Sequence, residues 1–220
     1  MATDYFGRAV VENWPLLLEG YAMTAVVSLL AMLLSLVLGT AIAGLRTSSV
    51  RPLRWLAAGY VECFRNTPLL IQLYFYFFGL TRLGLRLTAF QAGVAALAIY
   101  TAAYVAEVVR SGILSVDRGQ RDAARALGLS YLQTQRFVVL PQALRTVLPP
   151  LGNLGIALVK NSALVSSIAL ADLLYVSDLI QSRTFRTFEV FTAVVVLYLS
   201  LTLPLALLVS RLERRLVVRR

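Results

Sequence analysis

Three stretches of this chain run for 20 residues or more without a charge, and nothing else in the sequence restricts the fold as much. Glu19 to Arg46 encloses 26 uncharged residues, Arg86 to Glu107 encloses 20, and Glu189 to Arg211 encloses 21. About 20 apolar residues in a helix cross the roughly 30 Å of bilayer hydrocarbon, so each window predicts a transmembrane helix. Composition agrees: 59% of the 220 residues are hydrophobic and 15% are charged, whereas a water-facing domain carries about a quarter charged residues. Two shorter windows, 66–81 and 146–159, reach span length only by taking a charge into the membrane, Glu62 and Arg65 in the first and Lys160 in the second. The pattern predicts an all-α polytopic membrane protein. It has about five transmembrane helices, near 18–45, 57–80, 88–110, 143–166 and 188–210, in a single transmembrane domain over 1–220.

The first 17 residues read as an interfacial segment. Tyr5, Phe6, Val10 and Trp14 fit a short helix ending at Pro15. Asp4, Glu12 and Glu19 outweigh Arg8, and the first apolar run is too long for a signal peptide's core, so the N-terminus is not expected to be cleaved. The absence of histidine excludes imidazole metal sites and Ser–His or Cys–His catalysis. The one cysteine, Cys63, excludes a disulfide framework and reads as a buried, inert side chain. Two Gly-x4-Gly spacings, Gly39 to Gly44 and Gly79 to Gly84, are followed by Leu-Arg rather than Lys-Ser/Thr, so neither is a phosphate-binding loop.

The formal charge of +10 is topological. If the first helix runs from outside to inside, fourteen arginines fall on inner segments and five on outer ones. Positive charge marks the cytoplasmic side. The N-terminus is therefore expected outside and the C-terminus in the cytoplasm, with the plasma or inner membrane as location and no nucleic-acid partner.

The long inner connection 111–142 carries the most information. Asp122-Ala123-Ala124-Arg125-Ala126-Leu127 are good helix formers closed by Gly128, which predicts a helix of about two turns with a glycine cap. Ala123 and Ala124 give it a small face that another surface could approach. Ser130 with Gln133 is a capping-box pattern that starts a second short helix, expected to end before Leu140-Pro141. Asp122-Ala123-Ala124, Gly128 and Leu140-Pro141 resemble the EAA…G…LP signature of ABC-importer permease subunits, with Asp122 where that family usually has Glu. Phe64-Arg65-Asn66-Thr67-Pro68-Leu69-Leu70, 103–113, Gly119-Gln120, Pro141-Gln142-Ala143-Leu144-Arg145 and Lys160-Asn161-Ser162-Ala163-Leu164 resemble the polar amino-acid uptake branch in the expected order.

The resemblance implies a type I importer permease. Such a subunit pairs with a second permease, identical or paralogous, and works with a dimer of ATPase subunits and a periplasmic or extracellular amino-acid-binding protein. ATP and Mg belong to the ATPase, and this chain is expected to hold no cofactor and to perform no catalysis. Gly119, Asp122, Ala123, Ala124, Leu127, Gly128 and Pro141 become the candidate coupling residues.

Charges inside spans are costly and face protein or water. Glu62 and Arg65, at i, i+3, can pair across one turn. With Asn66, Thr67 and Gln72 they form either a polar wall of the translocation path or a packing ion pair. Glu107 and Arg110 repeat the spacing and would brace the coupling loop. Lys160 has no carboxylate within its own helix, so with Asn161 and Ser162 it is a candidate for the path, awaiting a carboxylate from another helix or from a substrate. The aromatic run Tyr74 to Phe78 reads as interfacial belt and packing, and 171–188 as a short outer helix. An ion-gradient-driven transporter or channel is the competing function. It would need no glycine-closed docking helix, and it usually shows inverted repeats, which this chain lacks.

Overall fold

The computed structural model describes residues 7–216, and every regular element among them is helical. In chain order these are α1 (Arg8–Glu12), α2 (Trp14–Arg46), α3 (Arg51–Arg65), α4 (69–82), α5 (Ala89–Leu114), α6 (Arg118–Ala126), α7 (Tyr131–Ile168), α8 (Leu173–Thr184) and α9 (Thr187–Leu216). Four of them, α2, α5, α7 and α9, are long and apolar enough to cross a membrane.

The pairing of α2 with α5 organises the bundle. Lipid is as apolar as a leucine side chain, so helices in it associate through close packing, which small residues permit. The buried stripe of α2 is Thr24, Val27, Ser28, Ala31, Ser35, Gly39 and Ala43. It faces Ala92, Ala96, Ala103 and Ala106 on α5, and Val27, Ala31, Ala92 and Ala96 share one core with Leu69, Leu73, Leu158 and Val165. At Gly39 an added Cβ would lie 2.5 Å from Val105 Cβ and 2.7 Å from the Ala102 carbonyl oxygen, so the two backbones meet only because that side chain is absent. A second core joins Leu17 of α2 to Leu173, Val176 and Ile180 of α8 and to Val190 and Val194 of α9.

Three sequence expectations are corrected. The predicted continuous helix over 57–80 is broken at 66–68, because Pro68 has no N–H to continue the ladder. It resumes at Leu69 and passes through a π turn at Phe75–Gly79. The second helix of the loop does not end before Pro141. A π turn at Gln135–Val139 widens the backbone just ahead of the proline, a place where helices absorb an irregularity without stopping. Pro141 therefore sits in the first turn of a segment that continues through Pro149 and Pro150. At the N-terminus, α1 ends at Glu12 and Pro15 opens α2 instead of closing the interfacial helix, since proline's fixed φ suits a first turn. Tyr5, Phe6, Arg219 and Arg220 lie outside the described residues.

Candidate functional site

The loop helix α6 is built as a rigid piece. Its N-cap is Asp117, whose carboxylate accepts from Gly119 N–H at 2.6 Å. At its other end Gly128 adopts φ +80°. Gly128 N–H reaches Arg125 O at 2.9 Å and Leu129 N–H reaches Ala124 O at 3.1 Å. This pair of bonds is a Schellman cap, which glycine favours because it has no Cβ to clash at positive φ. Ser130 and Gln133 complete the expected capping box, with bonds of 2.8 and 3.3 Å.

Two details differ from the sequence reading. Asp122 is the fifth residue of α6, not a first-turn residue, and it lies 3.9 Å from Arg125 in an exposed pair. The residue that faces the helix N-terminus is Asp117. The small face is also divided: Ala124 is 3% exposed and turned into the chain, while Ala123 is exposed and Leu127 is 83% exposed. The surface that α6 presents outward is therefore Gly119, Asp122, Ala123 and Leu127.

Glu107 anchors the same end of the bundle. Its carboxylate accepts from Arg110, as the i, i+3 spacing predicts, and also from Arg46 at the last position of α2. No sequence signal reveals the Arg46 contact, because the partner lies 61 positions away.

The break at 66–68 rearranges the other predicted pair. Glu62 does not bond Arg65. The chain turns at Asn66, whose side chain reaches back to Glu62 O at 2.8 Å and to its carboxylate at 3.2 Å. Arg65 instead lies 5.4 Å from the centre of the Tyr104 ring on α5, a cation–π contact. Thr67 bonds Cys63 O at 2.8 Å. Gln72, a candidate for the path, is buried. Its amide donates to Phe64 O and Thr67 O, both at 3.0 Å, two carbonyls that the missing helical N–H groups leave open. Cys63 is exposed, contrary to the buried reading, because α3 buries the face of Ala57 and Val61 instead.

Lys160 is exposed and in no ion pair among the described residues. It shares one face of α7 with exposed Asn153 and Thr146, seven and fourteen residues earlier. Asn161 is half-buried. Ser162 is fully buried and bonds Val159 O at 2.8 Å, so the structure places it behind the face that Lys160 occupies.

These features define a class, a polytopic helical membrane protein with a rigidly capped helical loop at one end of its spans. The chain belongs to the family of binding-protein-dependent transport system inner membrane components, whose family model matches residues 31–218. It is 45% identical over 205 residues to the probable glutamine ABC transporter permease protein GlnM of Bacillus subtilis, covering 93% of this chain and 95% of that one. It is 39% identical over 206 residues to the glutamine transport system permease protein GlnP of Escherichia coli K12, covering 93% and 94%. Its fold matches that of a crystal structure of an amino acid ABC transporter with histidines, with a TM-score of 0.89 and 43% identity over 94% of this chain and 96% of that one.

Proposed function

We propose that this chain is the transmembrane permease subunit of an ATP-driven importer of polar amino acids. Relatives named for glutamine, arginine and cystine transport support that substrate class. The chain pairs with a second permease, identical or paralogous, and a binding protein delivers substrate on the outer side. ATP and Mg act on a separate ATPase dimer. It spans the inner membrane as one domain with five crossings, the broken α3–α4 segment supplying the fifth. The N-terminus lies outside and the C-terminus in the cytoplasm.

One observation carries the mechanism. The inward face of α6, on which Ala124 is buried, packs onto the start of α7, and α7 stays helical over 38 residues, through the π turn at Gln135–Val139 and into a 3₁₀ segment at Ser162–Ile168. At 1.5 Å per residue, about 44 Å of helix separates Tyr131 from Lys160. A displacement of α6 by the ATPase is thus carried along one stiff element to the polar face of Lys160, Asn153 and Thr146. Binding of ATP favours one arrangement of the paired subunits and its loss favours the other. The Lys160 ammonium attracts the α-carboxylate that every amino acid carries, and Glu62 and Asn66 at the helix break line the same route.

The test is uptake of labelled polar amino acids in proteoliposomes holding the permease, its ATPase and its binding protein. Lys160→Met should retain the subunits and lose most ATP-dependent uptake. Uptake at the wild-type rate would remove Lys160 from the path. Transport that persists without ATP but follows an ion gradient would overturn the importer reading itself.

A further inference from the structure

Four guanidinium groups line one cavity of about 320 Å³ between the α2–α3 turn and the α6 loop: Arg46, Arg54, Arg110 and Arg121. Thr47 and Ser48 add polar atoms to its wall. Among the described residues, the one carboxylate bonded to any of these arginines is Glu107, shared by Arg46 and Arg110. Arg54 is in no ion pair among the described residues. Arg121 is anchored through a bond from Nη2 to Ile113 O, and its Nε–H is buried with no acceptor.

That arrangement is unfavourable as it stands. Like charges gathered in a partly dry cavity repel, and a buried donor without a partner costs about 1–3 kcal/mol. An oxyanion with several acceptor oxygens relieves both. Guanidinium forks match phosphate oxygens in geometry and form short, charge-assisted bonds with them.

The position of the cavity identifies the source of the phosphate. Arg46 closes α2 and Arg110 stands in the last turns of α5, at the ends of two spanning helices, where lipid headgroups lie. Leu114 of the cavity wall is exposed, and the adjacent helix α3 presents Trp55, 75% exposed, beside exposed Leu56. Tryptophan favours the membrane–water interface, and apolar side chains there offer a bed for acyl chains. Basic pockets between transmembrane helices on the cytoplasmic side suit anionic headgroups.

We propose that this cavity is a phosphate-binding cup filled by the headgroup of an anionic phospholipid. The headgroup ties α2, α3, α5 and the loop helix α6 together through one arginine from each. The docking loop is thereby held in place by the lipid beside it.

The experiment is native mass spectrometry of the complex purified with its partner subunits and equilibrated with equimolar phosphatidylglycerol and phosphatidylcholine. Wild type should retain phosphatidylglycerol in preference. Arg54→Gln and Arg121→Gln should each lower that retention about tenfold, the loss of roughly one charge-assisted bond pair, with Arg54→Lys keeping part of it. Arg54 is exposed and in no ion pair among the described residues, so its substitution leaves the fold intact. Equal retention of both lipids, or retention unchanged in both Gln variants, overturns the proposal. Displacement of the lipid by excess inorganic phosphate would assign the cup to free phosphate and overturn its lipid source. Binding by the isolated chain but not by the assembled complex would mean that a partner's carboxylate fills the cup, which also overturns it. The readout is bound lipid, so none of these results bears on the importer assignment.

Discussion

Substituting Gly39 by alanine should force apart the two helices that organise the bundle. The new Cβ would stand 2.5 Å from Val105 Cβ and 2.7 Å from the Ala102 carbonyl oxygen. Carbon atoms rest at about 3.5–4.0 Å, so α2 and α5 must separate by on the order of 1 Å. Val105 is fully buried and the carbonyl belongs to the helix backbone, so neither can turn aside. Overpacking of this kind costs about 1–3 kcal/mol, and replacing a helical glycine by alanine returns up to about 1 kcal/mol of propensity. The net is destabilisation by up to about 2 kcal/mol, a fall in Tm of up to roughly 8 °C for a chain of this size. Gly59→Ala is the control. It makes the same chemical change within α3, where an added Cβ meets nothing within 4 Å, and should raise Tm slightly. Thermal unfolding of both variants in mild detergent gives the answer. A rise in Tm for both would mean that the close approach at Gly39 does not hold the helices together.

Gln72→Leu strips the Phe64 and Thr67 carbonyls of their shared donor. It should destabilise by about 1–4 kcal/mol, the range between measured membrane hydrogen bonds and a fully unsatisfied pair, and Gln72→Leu unfolding at the wild-type temperature would contradict that. Glu107→Gln leaves Arg46 and Arg110 without their carboxylate. The site is partly exposed, so the cost should be about 1–3 kcal/mol. Combining it with Arg46→Gln should recover part of that loss in a double-mutant cycle read by Tm. Asp172 lies between α7 and α8, outside the spanning helices. It is fully buried, and burial raises its carboxyl from 3.8 to about 6. Its folded pKa exceeds its unfolded value, so the folded state holds more protons between these pH values and stability falls as pH rises through that window. The Tm of wild type relative to Asp172→Asn should therefore rise as pH is lowered from 7 towards 4, and a flat difference would refute the assignment.

Local patterns carried most of what the sequence revealed. The glycine cap of α6, the Ser130–Gln133 box and the Glu107–Arg110 pair each depend on residues within a few positions, and each has the expected geometry. Features made by distant segments were not legible. Arg46 reaches Glu107 from another helix, Arg65 lies against the Tyr104 ring rather than the carboxylate one turn away, and the Gln72 amide donates to the carbonyls of the helix break. Ala124 points inward because α6 rests on the start of α7, which no single-helix pattern records. Proline was over-read as a terminator at Pro141, where a π turn accommodates it. The buried small-residue stripe of α2 was present in the sequence as spacings of three and four from Thr24 to Ala43. Such a stripe carries no local mark, because its members are apolar and polar residues that share only their small size.

The central claim is that α6 docks on the ATPase and drives α7, and in vivo photo-crosslinking from Leu127 tests it most directly. Leu127 is 83% exposed, on the outward side of the helix, and its replacement by a benzophenone amino acid disturbs no internal packing. Leu83, 72% exposed in the turn after α4, serves as the site on the opposite side. The products are identified by mass. The account predicts a covalent adduct between position 127 and the ATPase subunit, and none from position 83. Absence of the ATPase from the adducts at 127, or its capture from 83, would contradict the coupling assignment and the orientation on which it rests.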